Sequence, residues 1–432
     1  MTMTPLAGYS QNPSSFAHMR PRPVVVALTF AAILTGMLVS PFLLDLVGYI
    51  YGSTGGSPLT KVHPMTYLAV LAFLSAAISR GNPLAYLAES VERFPGTAYF
   101  TVMLVFMILW TLLIQRQPLT SLIDTFLPAA LFIFLISDLT AKQHRILTIL
   151  IHIIMNANAL LGVFEVSTGW RLTPITLEGS VVEWEWRATA FLGHPLENAL
   201  MSSIYLVMMT FGADRSVSPA MRIGIISLQV FGLIVFGGRT AMVLGFMLLG
   251  VRIVLLFFSL LRGRTFDPRL AGLVVMAIPV IIGLSLVAID LGLLDRMIER
   301  FTNDGGSADT RLTMVRIFNS FSLYDLLMGP DPVALTAKMY AEGTQYGIES
   351  FVFGFFLQSG VLISIIFFFG LAAITYDLWR IGSRICLLHI ALFYTIAAGA
   401  ASLSVKGQSM TQFVILFCTI EALPSLMDRD PA

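Results

Sequence analysis

From Ile223 to Leu261 the chain reads "IGIISLQVFGLIVFGGRTAMVLGFMLLGVRIVLLFFSLL", with Arg239 and Arg252 as its only charges. A helix that crosses a bilayer needs about 20 predominantly apolar residues. The stretch therefore predicts two spans, 223–237 and 240–260, hinged at Gly237-Gly238-Arg239. The same pattern predicts further spans near 23–46, 63–79, 97–114, 119–139, 146–165, 195–212, 269–290, 350–378, 385–402 and 409–426. The stretch 350–378 is long enough for a half helix and a full helix meeting at Gly360. The expected fold is all-α and polytopic, with about twelve transmembrane helices.

Composition agrees with this reading. The 432 residues are 56% hydrophobic and 12% charged, with a mean hydropathy of +0.83, against about 25% charged in soluble domains. A net charge of +1 gives no basic footprint for nucleic acid, so the expected partners are the lipid bilayer and lipid-borne molecules. Cys386 and Cys418 fall inside apolar runs and read as small hydrophobes, with no disulfide framework and no metal-thiolate spacing. No metal site and no cofactor are expected.

Basic residues are distributed unevenly between the connections. With the N-terminus inside, Arg20, Arg22, Arg80, Arg93, Lys142, Arg145, Arg215, Arg222, Arg262, Arg264, Arg269, Arg380 and Arg384 fall on cytoplasmic connections. The short external connections keep Lys61, Arg116, Arg239 and Lys406. This bias orients both termini to the cytoplasm. Arg252 reads as a side chain snorkelling to the cytoplasmic face. The first 22 residues are polar, and the apolar run after them is too long for a removable signal peptide.

The chain divides into a tail at 1–22, five spans over 23–165, a loop with central spans over 166–290, a large loop over 291–349, and C-terminal spans over 350–432. Two external segments, about 166–194 and 291–349, are longer than connections require, which is a feature of functional loops. Asp309–Phe321 has helical periodicity, with Leu312, Val315, Phe318 and Leu323 near one face, and predicts a helix lying on the membrane surface.

A few charges need an explanation. Arg239 is a headgroup-touching residue at a hairpin tip, or it is half of an anion site. The second reading is favoured by Arg187, which enters the membrane at the same face in "WRATAFLGHPLENALM"; two guanidinium forks suit a phosphate. Arg311 and Arg316 lie on the same side. His194 and Glu197 open the span that follows Arg187; His194 is a cap, a headgroup contact or a substrate ligand, and Glu197 complements the helix dipole. Glu349, at the mouth of the 350–378 stretch, is a helix-terminal carboxylate or a base for a hydroxyl. In "EWEW", Glu183 to Trp186, Trp184 and Trp186 are interfacial anchors or a sugar-stacking platform with Glu183 and Glu185 bonding hydroxyls or binding a cation.

Three blocks, in order, carry a family likeness: "RATAFLGHPLENALMSSIYL", "GGRTAMVLGFMLLGV", and "ADTRLTMVRIFNSFSLYDLLMGPDP" followed by "YGIESFVFGFFLQSGVLISIIFFFGLAAI". Over roughly 180–378 the chain resembles the superfamily of O-antigen ligases and Wzy-type polysaccharide polymerases. The resemblance implies a glycosyltransferase in the bacterial inner membrane, with its large loop in the periplasm and an undecaprenyl-diphosphate-linked oligosaccharide as substrate. It implies Arg187 and Arg239 as diphosphate ligands, with Arg311 and Arg316 in the arginine-bearing helix of the loop. Glu349 stands where the ligases have a functional histidine. That departure moves the expectation from a ligase acting on a lipid A-core acceptor to a polymerase of exopolysaccharide or O-antigen repeats, working with a chain-length regulator and export complex. A secondary transporter or flippase is the competing class.

Overall fold

The computed structural model describes residues 21–52, 55–116, 119–177, 180–182, 186–263, 283, 286, 289–290, 292–302, 307–344, 350–399 and 403–422. Among these it is helical apart from one short hairpin, Thr176–Leu177 paired with Ser180–Val181. The helices are α1 (Pro23–Leu38), α2 (Pro41–Leu46), α3 (Pro64–Ser79), α4 (Pro83–Arg93), α5 (Pro95–Trp110), α6 (Thr120–Ser137) and α7 (Ala141–Thr168). Then come α8 (Pro195–Phe211), α9 (Pro219–Phe236), α10 (Arg239–Leu261), α11 (Leu293–Thr302), α12 (Ser307–Asn319), α13 (Leu323–Met328) and α14 (Pro332–Ala341). The last four are α15 (Phe351–Ser359), α16 (Val361–Ile381), α17 (Cys386–Ala398) and α18 (Ser409–Leu416), the last continuing as a π turn to Glu421.

Proline sets many of the starts. Pro23, Pro64, Pro95, Pro195 and Pro219 each stand in the first turn of a helix, where the missing N–H has no partner to lose and φ is already helical. The same chemistry corrects one boundary. The span expected over 23–46 ends at Leu38, because Pro41 cannot continue a helix; Ser40 instead accepts from Leu43 N and starts the separate α2.

Among the described residues six helices are long and apolar enough to cross a membrane: Pro95–Gln115, α6, α7, α9, α10 and α16. α1, α17 and Ser409–Glu421 are apolar but shorter, and α3 with α4 forms a pair bent by 113°. Burial sorts them: 72% of α6 lies inside the protein against 17% of an 18-residue apolar stretch of α10, so α6 is central and α10 presents its flank to the surroundings. At Gly360 (φ +83°) the 350–381 stretch breaks into α15 and α16, and Gly329 of the large loop packs directly on that break.

The face that α12 turns inward is not the one its periodicity offers to a membrane surface. Met314 and Ile317 are buried against Leu335 and Leu357, whereas Leu312 and Val315 are 59% and 43% exposed. Periodicity identifies an amphipathic helix but not its partner; here α14 and α15 supply the apolar surface, and they meet the 314/317 edge.

Candidate functional site

The site is assembled from the segment before α8 and the turn between α9 and α10. Residues 186–194 have no regular structure, and side chains of α7 and α8 hold them. Buried Glu165, near the end of α7, accepts from Thr189 N at 2.7 Å, Ala190 N at 3.0 Å, Leu172 N at 2.9 Å and Thr189 Oγ1 at 3.2 Å. Asn158, two turns back on the same helix, accepts from Phe191 N at 2.9 Å through Oδ1 and donates from Nδ2 to Asn198 Oδ1 at 2.7 Å. Asn198 Nδ2 in turn donates to Thr189 O at 2.6 Å and His194 O at 3.0 Å. Ala190 is thereby held at φ +40°, a conformation that L side chains avoid and that persists where surroundings over-determine it.

This clamp delivers Arg187 to the α9–α10 turn. Ala188 N donates to Val235 O at 3.1 Å, and the aliphatic stem of Arg187 lies over Gly237: a Cβ there would come within 2.9 Å of Arg187 Cδ and 3.4 Å of Trp186 Cη2. Gly237 (φ +62°) closes α9 in the left-handed region and Gly238 packs against Ala199 of α8, so neither has room for a side chain. Arg239 follows as the first residue of α10. Both arginines are half-buried. The two expected ligands therefore flank one glycine turn, seated on the first turns of α8.

Other expected residues are placed as follows. Trp186 is half-buried beside Gly237, with the Arg296 guanidinium 5.9 Å from its ring centroid. His194 caps α8, accepting from Leu196 N through Nδ1, and its ring stacks on Phe42. Arg316 is exposed on α12 and pairs with Glu342 of the large loop at 3.7 Å. Arg311 is in the first turns of α12, but its side chain lies outside the described residues, as do Glu183, Trp184 and Glu349. Sequence reasoning missed Arg296, whose signal was the strongly amphipathic "LLDRMIERFT". It also missed Glu165 and Asn158, which look like ordinary polar residues of a long apolar helix.

The same end of the protein carries a second polar group. Buried Asp124 accepts from Tyr51 Oη at 2.9 Å, His63 N at 3.0 Å and Thr66 Oγ1 at 2.7 Å. Lys406, between α17 and α18, donates to Tyr51 O at 2.9 Å and sits 3.3 Å above that ring. Burial lowers the Lys406 ammonium to about 8, Lys61 adding to the effect and Asp124 opposing it. His63 has a fixed tautomer: Nε2–H donates to Val39 O and Nδ1 accepts from Met65 N. Among the described residues no group of three or more His, Cys, Asp or Glu side chains is arranged to hold a metal ion.

Fold and site together define an all-α protein with helices suited to a lipid bilayer and a paired-arginine turn at one end of the helix bundle. Comparison with family models, curated proteins and solved structures gives no match.

Proposed function

We propose that the protein is a membrane glycosyltransferase that polymerises undecaprenyl-diphosphate-linked oligosaccharide repeats at the periplasmic face of the bacterial inner membrane. The supporting observation is that the stem of Arg187 packs on Gly237, two residues before Arg239 at the start of α10, with the Arg296 guanidinium over the neighbouring Trp186 ring. Joining the repeats breaks the bond between the anomeric carbon and the diphosphate and places charge on the leaving group. Cations fixed beforehand in a low-dielectric site meet that charge without reorganisation. In this reading the chain crosses the membrane about twelve times, with both termini cytoplasmic and 291–349 as the periplasmic loop. The six long helices, the bent pair and the three short apolar helices make ten; α8 and the expected span 269–290, which lies largely outside the described residues, bring the reading to twelve, and the asymmetry of basic residues sets the direction.

The test is complementation of a deletion strain with Arg187→Ala and Arg239→Ala at membrane levels matched to the parent. By analogy with a lost oxyanion donor, each loses about 10²–10³ in rate, and lipid-linked single repeats accumulate on the periplasmic side. Normal polymer in both variants refutes the reading. Failure to deliver the repeats across the membrane assigns the protein to the flippases.

A further inference from the structure

Resting on that reading, we infer that Glu197 is the base that takes the proton from the attacking sugar hydroxyl. The carboxylates near the arginine turn differ in what already occupies their oxygens. Glu165 accepts four hydrogen bonds, three of them from backbone N–H groups. Asp124 takes Tyr51, Thr66 and the His63 backbone. Both are buried to 1% exposure or less, and such crowded oxygens leave little lone-pair capacity for a substrate. Glu197 is half-buried, and among the described residues its carboxylate accepts one hydrogen bond, from Ser409 Oγ at 3.2 Å.

Its position suits the task. Glu197 is in the first turn of α8, two residues before the Ala199 on which Gly238 packs; one helical turn rises only about 5.4 Å. Arg239 and Thr240 open α10, Thr240 lies beside Gly399 at the end of α17, and Ser409 opens α18. The carboxylate and the arginine thus stand at two helix starts within one cluster of helix ends, formed by α8, α10, α17 and α18. Ser409 holds one carboxylate oxygen and leaves the other for a hydroxyl.

The step balances. The acceptor O–H proton passes to Glu197, the oxygen forms a bond to the anomeric carbon, and the bond from that carbon to the diphosphate breaks. The electron pair leaves with the diphosphate between Arg187 and Arg239. Glu197 afterwards returns its proton to water.

The experiment compares the full-length parent with Glu197→Gln, Glu197→Asp and Arg239→Ala. Polymer synthesis is followed in membranes of the deletion strain loaded with its own lipid-linked repeats, across pH 5–9. Binding of undecaprenyl diphosphate to each purified protein is measured separately. The amide keeps the shape and the Ser409 bond, so Glu197→Gln is expected to bind the lipid as the parent does and to lose about 10²–10⁴ in rate, the range of general-base assistance. The acid limb of the parent's pH profile disappears from its residual activity, and Glu197→Asp recovers part of the rate. Parental rates in Glu197→Gln with an inactive Arg239→Ala overturn the inference and leave the glycosyltransferase intact. Loss of lipid binding or membrane level in Glu197→Gln also overturns it, assigning a structural role. Parental rates in both variants sink the underlying function as well.

Discussion

Glu165→Ala removes the acceptor that holds the 186–194 segment against α7. Two backbone donors, Thr189 N at 2.7 Å and Ala190 N at 3.0 Å, are buried there and have no route to water unless the segment opens. A hydrogen bond to a charged group contributes about 1.5–3 kcal/mol. The two together are worth about 3–6 kcal/mol of local stability; Leu172 N adds less because it is only part-buried, and Thr189 Oγ1 adds less because its bond is longer, at 3.2 Å. At about 1.4 kcal/mol per tenfold, the lower bound corresponds to roughly a hundredfold rise in opening. The assay is amide hydrogen exchange by mass spectrometry on detergent-purified protein, comparing peptides over 186–194 with peptides over the α6 centre, where Ala129 and Phe132 are fully buried. Exchange over 186–194 is expected to accelerate at least a hundredfold while α6 is unchanged, and polymer synthesis falls with it because Arg187 is no longer presented. Glu165→Gln retains one acceptor oxygen and falls between. Parental exchange in Glu165→Ala refutes the idea that this carboxylate positions Arg187; equal acceleration over α6 shows general unfolding instead.

Two further outcomes follow from packing and charge. Ile317→Ala, 2% exposed against Leu335 and Leu357, is expected to cost about 2–5 kcal/mol of α12 docking and to raise protease cleavage over 307–344. Leu312→Ala, 59% exposed, stays within about 0.5 kcal/mol, and the reverse order would refute this assignment of the buried edge. Lys406 sits at about 8 in the folded protein against an ordinary 10.5. The unfolded chain therefore binds more protons between those values, and stability rises with pH across the window. The parent's melting temperature is expected to climb relative to Lys406→Met from pH 8 to 10.5; a constant difference refutes the assignment.

Much of the architecture follows from local chemistry that a sequence displays. Long apolar runs have to satisfy their backbone internally and become helices, prolines mark where they start, and Gly360 marks where one breaks. Arg187, Arg239 and Glu197 stand out because charges are rare in this chain. What tertiary structure decided is which of these meet. Arg187 reaches Gly237 because Glu165, Asn158 and Asn198, scattered between positions 158 and 198, bind one irregular segment, and no periodicity encodes such contacts. α12 turns its 314/317 edge inward because α14 and α15 supply the surface it covers. Apolar pattern is a property of each helix alone, whereas the pairing of buried polar groups depends on which helices become neighbours, and only the folded chain specifies that.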